Sequence, residues 1–231
     1  MSYVLSASDN NPWFGLQYFQ YESQRQQYLH SAIEQVELTV ISVAIGIVLA
    51  FAISLVIRRF PIAENFTIGL MDGIYSLPSI ALFSILLPFT GLSLFGPIIG
   101  LTLYTQLILV RGFVEGFRSV PDSAILAADG MGYGKIRRIA RVELRLAMPV
   151  IISSIRMASV STVAMVPVAF ILSHGGLGEI MTLGYANNLY RQQVVDAVIG
   201  MVILAILLDL IILAIGRNVT RWNRQQGLVG T

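Results

Sequence analysis

Five apolar stretches alternate with polar or basic segments along the chain. The first runs from about Ala32 to Ile57 and stops at Arg58-Arg59, and the second runs from about Ile62 to Phe89 with Pro78 inside it. The third covers about Leu94 to Phe117. The fourth covers about Ala147 to Leu172 and contains Pro149 and Pro167, and the fifth covers Val194 to Ile215 and ends at Gly216 and Arg217. A helix needs about 20 apolar residues to cross a bilayer, and each stretch is at least that long. About five spanning helices are therefore predicted. Proline inside a spanning helix removes a backbone hydrogen bond and bends it, and the long second stretch has room for a break at Pro78. Between the third and fourth stretches, Ser119–Leu146 carries Lys135, Arg137, Arg138, Arg141 and Arg145 and is too charged to span. Ser173–Gln193 is polar and rich in glycine.

Composition agrees with lipid as the main solvent. Of the 231 residues, 55% are hydrophobic and 12% charged, against about 25% charged in soluble domains. There is no cysteine, and the two histidines, His30 and His174, lie far apart in sequence. A disulfide framework, a thiolate metal site and a metal enzyme are not expected. Residues 1–30 hold Trp13, Phe14, Tyr18, Phe19, Tyr21 and Tyr28 but lack the basic start and short apolar core of a cleavable signal. The first span is then expected to act as an uncleaved signal. The aromatic residues suit either the membrane interface or a partly ordered tail.

Basic residues set the orientation, because they concentrate in cytoplasmic loops. With the amino terminus outside and five spans, eleven lie inside: Arg58, Arg59, Arg118, Lys135, Arg137, Arg138, Arg141, Arg145, Arg217, Arg221 and Arg224. Only Arg25 and Arg191 lie outside, while Arg111 and Arg156 fall in or near spans. The expected organisation is an external or interfacial segment 1–30, a membrane domain 31–216 with a cytoplasmic loop 119–146, and a cytoplasmic tail 217–231.

The loop reads as two short helices. Pro121 suits a first turn, Asp122 favours the positive end of a helix, and Ser119 is a candidate cap. Ala124, Ile125, Ala127 and Ala128 form a small-residue helix that Gly130, Gly132 and Gly134 end, and a second helix begins near Lys135. Spacing of about 100° per residue places Arg138, Arg141 and Arg145 on one face and Ile136, Ile139, Ala140 and Leu144 toward the other. Such a segment either rests on anionic lipid through its arginines or presents a knob to a cytoplasmic partner.

The residues of this segment resemble the cytoplasmic loop of ABC importer permease subunits, whose pattern begins Glu-Ala-Ala, has a glycine four residues on, and ends near Ile-x-Leu-Pro. Ala127-Ala128 match the alanines, Gly132 the glycine, and Val142 and Leu144 the Ile and Leu. Leu126 stands in place of the Glu and Arg145 in place of the Pro. The stretches Ile74–Leu92, Val142–Ala164 and Ser173–Met181 are similar to the osmoprotectant branch, which imports glycine betaine, choline, carnitine and related quaternary amines. The likeness covers roughly residues 30–215. It implies an all-α integral membrane protein of the type I ABC importer permease fold. It implies that Ala127, Ala128, Gly130 and Gly132 form the coupling helix and its turn, which seat on the ATPase. It implies two ATPase subunits holding ATP and Mg, a second identical or homologous permease, and an extracytoplasmic solute-binding protein. This chain itself would hold no cofactor, perform no bond chemistry and sit in the inner membrane. A permease for an amino acid or its derivative, a secondary transporter or channel, and a membrane anchor remain as alternatives.

Other constellations modify this reading little. Gly130–Lys135 lacks the preceding strand and the Gly-Lys-Ser/Thr ending of a phosphate loop, so nucleotide binding by this chain is not expected, and no feature points to nucleic acid. Asp72, Arg111, Glu115, Arg156, Asp196 and Asp209 lie in or near apolar runs, where ionisable groups mark a pathway or a partner. Asp72 and Asp209 are the strongest candidates for a pathway role or a buried pair. Tyr75, Phe83, Phe89 and Tyr104 are the aromatic residues available to a quaternary ammonium, but their spacing shows no tight cluster. Ser173–Gln193 reads either as a re-entrant turn with a short helix or as a flexible loop. The chain ends three residues after Leu228, and no fused binding domain is expected.

Overall fold

The computed structural model describes residues 22–60, 62–186 and 191–220. Trp13, Phe14, Tyr18, Phe19, Tyr21, Arg221 and Arg224 lie outside them. The described residues are almost wholly helical: α1 Glu22–Arg59, α2 Ile62–Ser76, α3 Ser79–Thr90, α4 Phe95–Arg118, α5 Asp122–Gly130, α6 Lys135–Arg138, a π turn Ile139–Glu143, α7 Leu144–Met165, a 3-10 segment Val166–Leu172, α8 Leu177–Ala186 and α9 Arg191–Val219. Among the described residues, four helical runs are long and apolar enough to cross a membrane: Glu22–Arg59, Phe95–Arg118, Lys135–Leu172 and Arg191–Val219.

The second apolar stretch is not one straight helix. α2 and α3 meet at a 96° bend. Their 15 and 12 residues give about 22 and 18 Å at 1.5 Å per residue, so neither alone crosses a core of about 30 Å. Pro78 causes the break. It disfavours helical backbone at Leu77 before it, and its own backbone is extended at φ −54° and ψ 128°. Its carbonyl then accepts the N–H groups of Ala81 and Leu82 at 2.8 and 3.1 Å, which opens α3. The count of five spans holds only if the bent pair forms one crossing.

The second helix of the basic segment is also not short. Helical backbone runs without interruption from Lys135 to Leu172, so α6, the π turn and the fourth span are one rod. Ser119 does not cap α5, because its hydroxyl donates to the Gly116 carbonyl at 2.8 Å and closes α4. Pro121 stands just outside the first turn, in extended backbone. The predicted apolar face holds only in part: Ile139 and Leu144 pack against the core, but Ala140 is exposed and Ile136 is 85% exposed, whereas Arg138 turns inward.

The chain divides into two compact units. One contains residues up to Ser42, Leu77–Leu101 and Ser161–Leu207. Leu38, Phe83, Leu101, Val166, Ala169 and Leu172 form its core, with Leu177, Ile180 and Ala197 as a smaller cluster. α1 here buries polar residues, Ser31, Gln35 and Thr39, and exposes Ile33 and Val40. That inversion is what lipid requires, since polar groups find partners inside and apolar ones face hydrocarbon. Pro167 has no N–H, so the Val163 carbonyl four residues earlier lacks its helical donor. Gln35 Nε2 supplies one at 2.8 Å.

The other unit contains Val43–Ser76, Thr102–Val160 and the residues from Leu208 onward. Its core includes Leu109, Val110, Phe113, Phe117, Ala147 and Ile151. Gly112 and Gly116, four apart on α4, let α7 approach closely. A Cβ at Gly112 would overlap Ser154, and one at Gly116 would lie 2.9 Å from Ile151 Cγ1 and 3.2 Å from the Ala147 carbonyl. This is the small-xxx-small contact through which membrane helices pack without a hydrophobic driving force. Gly112→Val should therefore destabilise the protein by about 1–3 kcal/mol, as overpacking does. Gly73→Ala, at a position with nothing within 4 Å, should have little effect. Thermal unfolding in detergent compares the two.

Candidate functional site

The turn after α5 is built by hydrogen bonds. Tyr133 N–H donates to the Ala128 carbonyl at 3.1 Å and Gly132 N–H to the Asp129 carbonyl at 2.9 Å. This paired closure needs a left-handed residue just past the helix end, and Gly132 supplies it with φ +77°. A Cβ at Gly130, Gly132 or Gly134 would meet nothing within 4 Å. Gly132 is thus required for its backbone rather than for space. Ala127, Gly130 and Gly132 are exposed, flanked by Leu126 at 70% and Met131 at 65% exposure. Ala128 is fully buried and is not part of that surface. The sequence pattern treated Leu126 only as a missing Glu, yet with Met131 it is an apolar knob beside the turn.

Behind the turn lies a carboxylate with no solvent exposure. Glu143 pairs with Arg58 at the end of α1 and accepts Arg138 Nε at 2.8 Å. Arg138 also reaches both Asp129 oxygens at 2.6 Å, so α5, α6, the π turn and α1 share one ionic network. In an α-helix, residues 138 and 143 would lie about 140° apart around the axis. In the π turn, where bonds join i and i+5, they fall on one side. This local winding explains why Arg138 faces inward and leaves the face assigned to it by regular spacing. Arg58 also sits 4.8 Å above the Phe117 ring centroid. Arg141 and Arg145 remain exposed and, with Met131, Met148 and Val219, line an open cavity of about 640 Å³.

α2 and α4 run antiparallel and are joined by matched pairs. Arg118 donates to Glu64 at 2.6 Å, and Arg111 donates to both oxygens of Asp72 at 2.7 and 2.8 Å. Farther along, Tyr75 and Tyr104 meet edge to face with centroids 5.8 Å apart. Asp209 accepts two hydrogen bonds of 2.7 Å from Arg156. Asp72 and Asp209 are therefore each held bidentately by an arginine, the first about half exposed and the second about a third. Phe83 is a core residue, and Phe89 is exposed.

The glycine-rich segment after the fourth span closes onto α1 through groups the sequence reading did not single out. Glu34 accepts Gly176 N–H at 3.2 Å and lies 2.7 Å from His174 Nδ1, and Gln35 Oε1 accepts Leu177 N–H at 3.2 Å. Gly176, at φ +53°, leaves no room for a Cβ beside Gln35. A ten-residue helix, α8, follows and buries Leu177, Gly178, Ile180 and Gly184, so 173–186 is a packed turn and short helix rather than a flexible loop. Residues 187–190 lie outside the described residues. Glu34 and Gln35 were legible as polar side chains within an apolar run. Glu143 carried no such signal, since it sits among arginines. No group of three potential metal ligands occurs among the described residues.

Removing the carboxylate between two arginines leaves their charges uncompensated, which typically costs 3–5 kcal/mol at a buried pair. Glu143→Ala should lower stability by about that amount, and Glu143→Gln by less, because the amide oxygen still accepts hydrogen bonds. Denaturation midpoints of the detergent-solubilised protein test the order.

Comparison with known proteins places this geometry. Residues 42–225 match the family described as binding-protein-dependent transport system inner membrane component. The choline transport system permease protein OpuBB of Bacillus subtilis is 27% identical over 201 residues, covering 87% of this chain and 92% of that protein. The carnitine transport permease protein OpuCB of Listeria monocytogenes is 31% identical over 169 residues, 73% of this chain and 77% of that one. The osmoprotectant import permease protein OsmY of Salmonella typhimurium is 32% identical over 145 residues, 63% and 61% of the two chains. A chain of the MetNI methionine ABC transporter, in an inward-facing conformation, superposes with a TM-score of 0.76 at 19% identity over 87% of this chain and all of that one, which shows the fold. The alternatives of a secondary transporter, channel or anchor fall with these matches. The chain belongs to the binding-protein-dependent transport system inner-membrane component family and is a multi-pass permease subunit of an ABC importer, not its ATPase.

Proposed function

We propose that this permease carries a quaternary-amine osmoprotectant inward: glycine betaine, choline, carnitine or proline betaine. The observation that carries the reading is the run of relatives named for these solutes, matched over most of both chains. A relative named as an ergothioneine transport permease and binding protein, 31% identical over 144 residues, keeps an amino-acid derivative as the second reading.

Two copies of this chain, or this chain and a homologue, enclose the pathway. A solute-binding protein delivers the solute from outside, and two cytoplasmic ATPases bind and hydrolyse ATP with Mg. The amino terminus lies outside and the carboxyl terminus inside, which puts Arg58-Arg59 and the coupling turn in the cytoplasm. That orientation requires α2 and α3 to cross as one bent span, because an uncrossed pair would place the turn outside. α9 presents Val198, Val202, Ile206 and Leu210 outward, a face suited to lipid or to the second permease.

The exposed surface of Leu126, Ala127, Gly130 and Met131 docks on the ATPase. Closure of the ATPases on ATP moves this surface, and two connections carry the movement. One is the unbroken helix from Lys135 into the fourth span. The other is the Asp129–Arg138–Glu143–Arg58 network, which reaches the end of α1. The pathway opens outward with ATP bound, and hydrolysis resets it.

In vesicles holding the assembled importer, labelled glycine betaine should enter only with ATP and the binding protein. Ala127→Trp should cut uptake more than about tenfold by spoiling a close contact. Gly132→Trp should uncouple hydrolysis from uptake. Ala127→Trp should leave the amount of folded permease in the membrane unchanged, whereas Gly132→Trp also strains the turn, since it forces a side chain into φ +77°. Undiminished uptake by both variants contradicts the docking assignment, and uptake of none of the four solutes contradicts the substrate.

A further inference from the structure

The face that α2 and α4 build together holds more than an ion pair. Tyr104 is buried while Tyr75 stays 40% exposed, and their ring planes stand at 75°. The buried tyrosine thus fixes the position of the open one. One turn back along α2, Asp72 holds Arg111 with both side chains about half exposed. The face therefore presents an aromatic ring, a carboxylate and a guanidinium side by side. Three residues of helix, about 4.5 Å of rise, separate Tyr75 from Asp72. The Arg118–Glu64 pair already ties the same two helices, so a second tie does not account for the tyrosines beside it.

We propose that this face is a way-station in the translocation pathway for a small zwitterion bearing both a quaternary ammonium and a carboxylate. The proposal rests on the quaternary-amine reading above and names where this chain would touch such a solute. The ammonium lies against the open face of Tyr75, attracted by the ring quadrupole, with the Asp72 carboxylate beside it. The solute carboxylate takes the planar fork of Arg111, whose paired N–H groups match carboxylate geometry. The two solute charges replace the Asp72–Arg111 pair group for group. The incoming solute brings a charge of each sign, so the pair can open as the solute's groups take its place. It closes again when the solute leaves, so neither charge is stranded at membrane depth. Such a site binds firmly enough to receive a solute and weakly enough to release it, as conduction requires. Choline has no carboxylate and engages only the aromatic half.

The chain has no cysteine, so Ser76→Cys, four residues on from Asp72 on the same side of α2 and exposed, gives it one thiol beside the station. In the assembled importer, labelling of that thiol by a maleimide is followed by mass on this chain. Glycine betaine should slow it progressively, to about tenfold near saturation, choline should slow it less, and acetate should not slow it. In uptake, Tyr75→Leu should raise the KM for glycine betaine roughly tenfold, the loss of one cation–π contact, with a smaller change in kcat. Tyr75→Trp should stay near the parent. If the parent imports glycine betaine but labelling ignores it and Tyr75→Leu keeps the parent KM, the station is wrong and the substrate reading stands. If the parent imports no quaternary amine, both fall.

Discussion

A carboxylate removed from solvent must be held by positive charge, and one end of this permease is organised around one. Glu143 has no exposure and is gripped by arginines from two separate elements. Leaving either charge alone would be strongly unfavourable, so the end of α1, the start of the long helix at Lys135 and, through Arg138, the end of α5 are constrained together. The π turn makes this geometry available by bringing residues 138 and 143 to one side of the rod. A local irregularity of winding thus fixes where the turn after α5 sits on its own unit.

The same economy of close approach recurs where the helices pack. In lipid, apolar side chains gain little by leaving their surroundings, so contact depends on small residues and satisfied polar groups. Gly112 and Gly116 admit Ser154 and Ile151. Gln35 repairs the carbonyl orphaned by Pro167 while also accepting Leu177 N–H. Both cases show a defect or absence in one helix filled by a side chain of another. The second also explains why the glycine-rich turn at 175–178 is packed rather than loose.

Much of the fold was legible because lipid imposes a coarse pattern. The apolar stretches found the spanning helices, most of their ends to within about four residues, but α1 starts ten residues before Ala32 and the fourth run twelve before Ala147. The glycine elbow at 130–134 was legible because glycine suits a left-handed turn, and the structure places that backbone at Gly132. Three features were hidden, each for a physical reason. Charge at 135–145 was read as ending a span, but a helix can start in water and continue into lipid, as Lys135–Leu172 does. The facing of Arg138 was lost because regular spacing cannot anticipate a π turn. The Asp72–Arg111 and Tyr75–Tyr104 contacts join residues 39 and 29 positions apart, and no local pattern reports a pairing made by two antiparallel helices.

The central claim is that movement of the coupling turn reaches the spans through Glu143. Its most direct test is the number of ATP molecules hydrolysed per solute imported by the assembled transporter carrying Glu143→Gln, which keeps the shape of the side chain and removes its charge. The account predicts that hydrolysis continues while the ratio rises several-fold, roughly the effect of losing 1 kcal/mol of coupling. A ratio equal to that of the parent protein, with the complex intact, would contradict it.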